Sequence, residues 1–238
     1  MTKTVVITQS NYIPWRGYFD MFSQADEVVL LDSVQYTRRD WRNRNKIKTP
    51  QGSSWLSISV EVKGKYSQSI DETRIADLTW AENHWRTISL AYRRAAHFDS
   101  HGQWLEELLR SAGKHPLLTD VNEQLIRAIC EKLKIDTPIR RCTDLLPASM
   151  MAEMDSSERL AALSERVGAT RYISGPAAKA YLDHAAFDKR GIEVAWMDYS
   201  NYPHYPQLWD GFEPAVSVVD LILNTGDEAR RYLDKTGV

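Results

Sequence analysis

The residues that most constrain the fold run from Val5 to Lys48, VVITQSNYIPWRGYFDMFSQADEVVLLDSVQYTRRDWRNRNKIK. An apolar run, Val5 to Ile7, ends at Gln9 and gives way to the loop SNYIPWRG. A short segment with apolar periodicity (Tyr18, Phe19, Phe22) follows, then a second apolar run, VVLLD, that ends at Asp32. Strand, loop, helix, strand is the βαβ unit of a parallel sheet. Ligands of such sheets bind outside the carboxyl ends of the strands, which makes Gln9 and Asp32 candidate site residues.

The rest of the chain continues the alternation. Ser53 to Val62 (SSWLSISVEV) reads as a strand after a turn at Pro50 and Gly52, and 63–71 as a polar loop. Trp80, His84, Ile88 and Tyr92 recur at helical spacing and predict a helix over 80–95. Two more helices are expected over 102–112, stopped by Gly113, and 119–133, with Thr119 and Asn122 as caps. Pro138 opens a short strand, IRRCT. Ser156 or Ser157 caps a helix that Gly168 closes. The strand RYISG, a helix begun by Pro176, the strand GIEVAWMDY and a Tyr/Pro-rich loop follow. Helices over Val216 to Leu223 and Glu228 to Leu233 end the chain. The expectation is a single α/β domain spanning 1–238, with a mainly parallel Rossmann-like sheet flanked by helices. Residues of about 79–134 would form a helical insertion or cap.

Composition narrows the function classes. The 238 residues carry a net charge of −2, so an anion site must be local rather than a global basic field. Two cysteines, Cys130 and Cys142, supply neither a disulfide framework nor a Cys-rich zinc motif. No apolar run approaches the roughly 20 residues of a spanning helix, and no signal-peptide pattern opens the chain. The expectation is a cytoplasmic protein without membrane association. The histidines show no metal-binding spacing, so neither metal nor cofactor is implied.

Four groups of residues carry candidate chemistry. In the SNYIPWRG loop, Pro14 fixes a turn and Gly17 permits close approach of backbone to a ligand or of helix to strand. Tyr12 and Trp15 either face the ligand or fill an apolar corner. The arm TRRDWRNRNKIK sets six cations against one acid. Within it Arg39 and Arg44 are forks for phosphate or carboxylate, Asn43 and Asn45 are neutral donors, and Tyr36 and Trp41 are stacking surfaces for a base or sugar. The other reading of such a run is a solvated face. His84, with Tyr92 further along the same helix, is a candidate general base, or else a satisfied structural histidine. Ser174 and Gly175 end an apolar strand, where hydroxyl and backbone can meet a ligand, without the setting of a nucleophilic serine. Tyr205, Gln207 and Asp220 are polar groups in apolar surroundings. Asp220, inside SVVDLILN, needs a buried partner that the Arg-rich arm is expected to supply.

At the level of topology the order strand–loop–Gly–helix–strand–Asp resembles the nucleotidylyltransferase-like enzymes, although Trp15-Arg16-Gly17-Tyr18 lacks the paired histidines of their HxGH-type loop. A more specific resemblance is to the WbqC-like family. Gln9-x-x-Tyr12-x-Pro14-Trp15-x-Gly17-Tyr18-Phe19, Asp32-x-x-Gln35-Tyr36 and Arg39-x-Trp41-x-Asn43-Arg44-Asn45-x-Ile47 carry it. So do Trp80-x-x-x-His84, Tyr172-x-Ser174-Gly175 and Ser217-x-x-Asp220-Leu221-x-x-Asn224-x-Gly226. The resemblance implies work on O-antigen or other surface polysaccharides. It further implies a transferase moving an aminoacyl (glycyl-type) or related acyl group onto an amino or hydroxyl group of a sugar or nucleotide-linked precursor. A sugar nucleotide is then the expected substrate and an aminoacyl-tRNA end a candidate donor, with His84 or Asp32 taking the proton. An ATP-using adenylating enzyme and a non-catalytic glycan-precursor or partner-binding protein are the alternatives.

Overall fold

The computed structural model describes residues 2–233. In chain order the strands are β1 (Thr4–Thr8), β2 (Glu27–Leu30), β3 (Arg44–Thr49), β4 (Gly52–Ser57), β5 (Ile139–Arg141), β6 (Arg171–Ser174) and β7 (Glu193–Trp196). The α-helices are α1 (Arg16–Ser23), α2 (Trp80–Tyr92), α3 (Phe98–Ala112), α4 (Leu118–Lys132), α5 (Ala148–Ala152), α6 (Ser156–Arg166), α7 (His184–Asp188) and α8 (Val218–Thr225). Two compact units share them. The first takes in the chain up to Gln9, Asp20–Val34 and Asp136–Ser200; the second takes in Ser10–Phe19, Gln35–Ile135 and the chain from Asn201 onward.

The first unit is an α/β layer structure around a five-stranded parallel sheet of order β5-β2-β1-β6-β7. Counted within this sheet alone, that order is 3-2-1-4-5, the start of the Rossmann pattern, and it reverses between β1 and β6. A parallel strand covered on both faces must be apolar throughout, which is why VVI and VVL are continuous runs rather than alternating ones. Val5, Ile7, Val29 and Leu31 pack with Leu163, Val167, Phe187 and Ile192 from the flanking segments. Each such side chain contributes roughly 1.5–3 kcal/mol on burial. Helix α6 is capped by Asp155, not by either serine: its carboxylate accepts from the N–H of Ser157 at 2.8 Å and of Glu158 at 2.9 Å. The helix expected after Pro176 is instead a 3-10 turn, Pro176–Ala180, followed by the short α7.

The second unit holds an antiparallel hairpin and helices. The Ser53 to Val62 strand shortens to β4, and it pairs with β3 rather than joining the parallel sheet. Half of the cationic arm is therefore a strand: Asn45 and Ile47 point inward and are buried, whereas Arg44 and Lys46 stand on the outer side opposite Ser57 and Trp55. Helix α2 buries Trp80, His84, Ile88 and Tyr92, the face its spacing predicts. Helix α3 starts four residues ahead of expectation, at Phe98. In α4 the N-cap position is Leu117, and Thr119 and Asn122 lie inside the helix. All eight residues of α8 are buried, and Ser217 caps it through its Oγ, which accepts from the Val219 N–H at 3.2 Å. The last expected helix is a 3-10 run, Gly226–Tyr232. No helix among the described residues is long and apolar enough to cross a membrane.

Candidate ligand-binding surface

The loop after β1 is held in a conformation it would not choose alone. Ile13 has φ 32°, a left-handed value that a β-branched residue rarely adopts. Four hydrogen bonds fix it. Asn45 Nδ2 donates to the carbonyls of Tyr12 (3.1 Å) and Ile13 (3.0 Å), and the Tyr12 N–H donates to the Trp41 carbonyl at 3.0 Å. On the far side, the Val218 N–H donates to the Pro14 carbonyl at 2.8 Å. Such a conformation persists only where the surrounding structure over-determines it. It shapes a cavity of about 210 Å³ lined by Asn11, Pro14, Trp15, Trp41, Asn45 and Ala215, all residues of the second unit. Gly17 makes room for one wall: a Cβ there would stand 2.4 Å from the Trp15 ring. Its missing side chain accommodates the indole rather than a ligand.

Beside this cavity runs a strip of indoles and cations. Trp41 and Trp55 are both 42% exposed, with ring centroids 5.4 Å apart. Arg44 lies over Trp55 at 4.1 Å from the ring centre and Lys46 at 5.2 Å. The Nε–H groups of Arg42 and Arg44 are buried with no acceptor among the described residues. Arg42 donates to Asn11 Oδ1 and lies 3.6 Å from Asp40, and Arg44 donates to the Arg39 carbonyl. Arg39 itself is exposed and has φ 59°. Burial would push the Asp40 carboxyl up, but the Thr37 hydroxyl, Arg42, the Trp41 N–H and Arg44 outweigh it and hold the group below the usual carboxylate range. One acid thus orders the arm without neutralising it. Trp55 was not singled out by sequence; its place opposite Lys46 in the hairpin register is the signal that finds it.

Other predicted residues turn inward. Asn43 ties the hairpin through Nδ2 to the Ile58 carbonyl at 2.8 Å, and Tyr36, 6% exposed, holds Gln68 through its backbone. His84 has both ring nitrogens engaged. The Ser57 carbonyl, 3.2 Å from Nε2, can only accept, so Nε2 carries the proton and Nδ1 accepts from the Tyr12 hydroxyl at 2.8 Å. Burial drives its pKa down to about 4, against smaller upward effects of Ser57 and Asp77. This is a neutral structural histidine that braces Tyr12, and Tyr12 is itself fully buried.

Asp220 is also fully buried, but its partners are not arginines. Its carboxylate accepts from Tyr92 Oη (2.8 Å), Tyr205 Oη (2.8 Å) and Gln207 Nε2 (2.9 Å). Lys48, the last cation of the arm, donates to Gln207 Oε1 at 3.0 Å and to the carbonyls of Trp209 and Gly211. Burial raises the Asp220 pKa, opposed by those three donors and the Lys48 charge. Tyr92, Tyr205, Gln207 and Asp220 therefore form a closed polar knot.

Gln9, Asp32, Ser174 and Gly175 belong to the first unit. Gln9 follows β1, and Ser174 ends β6, the two strands between which the sheet order reverses. The Ser174 hydroxyl accepts from Tyr172 Oη at 3.3 Å. Asp32 follows β2 and is buried. Among the described residues no group of three or more His, Cys, Asp or Glu side chains is placed to hold a metal ion.

The sequence profile of the WbqC-like protein family matches residues 9–232. The uncharacterized protein Rv1507c of Mycobacterium tuberculosis is 47% identical over 231 residues, covering 97% of both chains. No solved structure matches the chain.

Proposed function

Because the chain belongs to the WbqC-like protein family, whose membership suggests a role in polysaccharide-associated biosynthesis, we propose that it is a transferase acting on a phosphorylated sugar precursor. The acyl group it moves, aminoacyl or related, is accepted by an amine or hydroxyl of that precursor. The acceptor attacks the acyl carbonyl, the bond from that carbonyl to the donor oxygen breaks, and the acceptor's proton ends on the departing oxygen. A sugar nucleotide supplies the phosphates and an aminoacyl-tRNA end is a fitting ester donor. His84, whose nitrogens are both engaged, braces Tyr12 and does not take that proton.

One observation carries the reading: half-exposed indoles lie against the Arg44 guanidinium and the Lys46 ammonium. An aromatic face takes the apolar side of a sugar or base, and an Arg fork takes a phosphate. Tryptophan fluorescence titration with uridine- and thymidine-diphosphate sugars tests it. Arg39→Ala and Arg44→Ala should each weaken binding about tenfold, the loss of about 1.4 kcal/mol, with the melting temperature unchanged. Equal binding by wild type and both variants would make the arm a solvated face and end this reading. The engaged state of His84 also favours a second reading, a glycan-precursor-binding protein without turnover. An acyl-transfer assay on the bound sugar precursor separates the two, since a transferase turns it over and a binding protein returns it unchanged.

A further inference from the structure

The walls of the cavity beside the strip differ in kind from the strip itself. Trp15, Trp41, Pro14 and Ala215 present carbon surface. Asn45 lines the cavity too, but its amide is occupied: Nδ2 donates to Tyr12 and Ile13, and Oδ1 accepts from the Lys46 N–H at 2.8 Å. Asn11 is different. Its Oδ1 accepts from Arg42, which fixes the sense of the amide and leaves the Nδ2 donors as its unengaged end. The cavity thus offers aromatic and aliphatic walls, the oriented Asn11 donor, and no charged side chain among its described lining residues.

A fully hydroxylated sugar ring is a poor occupant of such a space. Each hydroxyl placed against Trp or Pro carbon loses its water and gains no hydrogen bond in return. An acylamino substituent is a good one. Its methyl or methylene packs between indoles, and its carbonyl oxygen accepts from Asn11 Nδ2. At about 210 Å³ the cavity takes a sugar with such a substituent, not a whole nucleotide sugar. The remainder must lie outside, where Trp41 continues to Trp55 and its cations.

We propose that the cavity of Asn11, Pro14, Trp15 and Trp41 is a subsite for the N-acyl group of an acylamino sugar, with Asn11 as the specificity-determining donor. The proposal rests on the reading that the neighbouring strip binds a sugar phosphate. Arg42 is its positioning residue, since it orients the Asn11 amide. The linkage recognised is the one an acyl transfer to a sugar amine leaves behind, so the subsite holds the product side of the proposed reaction.

The test is calorimetric titration of the full chain with uridine diphosphate, its glucose conjugate and its N-acetylglucosamine conjugate. The expected result is at least tenfold tighter binding of the N-acetyl compound than of the other two. Asn11→Asp should abolish that preference, because a carboxylate keeps the Arg42 contact but has no N–H to donate. Its affinity for uridine diphosphate and its melting temperature serve as folding controls. If all three ligands bind alike, the sugar-phosphate reading stands and the subsite is overturned. If the preference survives in Asn11→Asp, the assignment of the donor is overturned. If none binds, the sugar-phosphate reading fails and the subsite fails with it.

Discussion

Two places in the second unit are built from the same kinds of side chain and behave in opposite ways. The knot around Asp220 and the strip around Trp55 both combine aromatic rings, an amide and cations from the arm. In the knot, Tyr92, Tyr205 and Gln207 all aim their donors at one carboxylate, and Lys48 is saturated by Gln207 and two carbonyls. In the strip, the Nε donors of Arg42 and Arg44 lack acceptors and the indoles are half bare. A closed network in low dielectric rigidifies and is costly to break. An open one contributes little to stability and keeps its capacity for a ligand. Residue type alone does not separate the two places; the degree of satisfaction does.

That contrast predicts a graded series. Asp220→Ala should have the largest effect, about 3–5 kcal/mol lost in urea unfolding, because it leaves two buried phenols and an amide without their acceptor and removes the charge opposite Lys48. A loss under about 1 kcal/mol would mean the knot relaxes and is not the clamp described.

The next effect is one of pH. His84 titrates near 4 in the folded chain and near 6.5 when unfolded, so the unfolded state binds the extra proton between those values. Stability attributable to this group is full above pH 6.5 and is lost as the pH falls through the window, about 3 kcal/mol in all. Unfolding curves of wild type and His84→Asn should therefore converge on acidification from pH 7 to 4. A constant gap between them would show that His84 is accessible to protons in the folded state and not the brace it is taken to be.

Arg44→Ala should be the smallest, within about 0.5 kcal/mol of wild type in stability. A cost comparable to that of the knot would erase the distinction between the two places.

Legibility in the sequence followed the same division. Strands β1 and β2 were readable because burial on both faces demands unbroken apolar runs, and α8 from its apolar stretch, although it begins at Val218, after the Ser217 cap, rather than at Val216. The hairpin was hidden. In β3 the outward Arg44 and Lys46 dominate the composition, and the inward Asn45 and Ile47 are too few to announce an alternating strand. The arm's cations marked its place on the chain, but which of them face outward depends on the hairpin register. His84 had two readings because spacing places it on the buried face of α2 but says nothing about Tyr12 and Ser57, which engage it. The partner of Asp220 was misjudged for a related reason: charge invites charge in a sequence, whereas three neutral donors satisfied it in the fold.

Each unit is assembled from three separate stretches of chain, and this sets the order of events at the ribosome. Strand β1, at the centre of its sheet, is synthesised first, yet Thr4 finds its partner Arg171 only when β6 has emerged. At typical elongation speeds that interval is on the order of ten to thirty seconds. Even once β2 has paired with it, the β6-facing edge of Val5–Ile7 stays open to association with other nascent chains. A translational pause placed before β6 would lengthen that exposure.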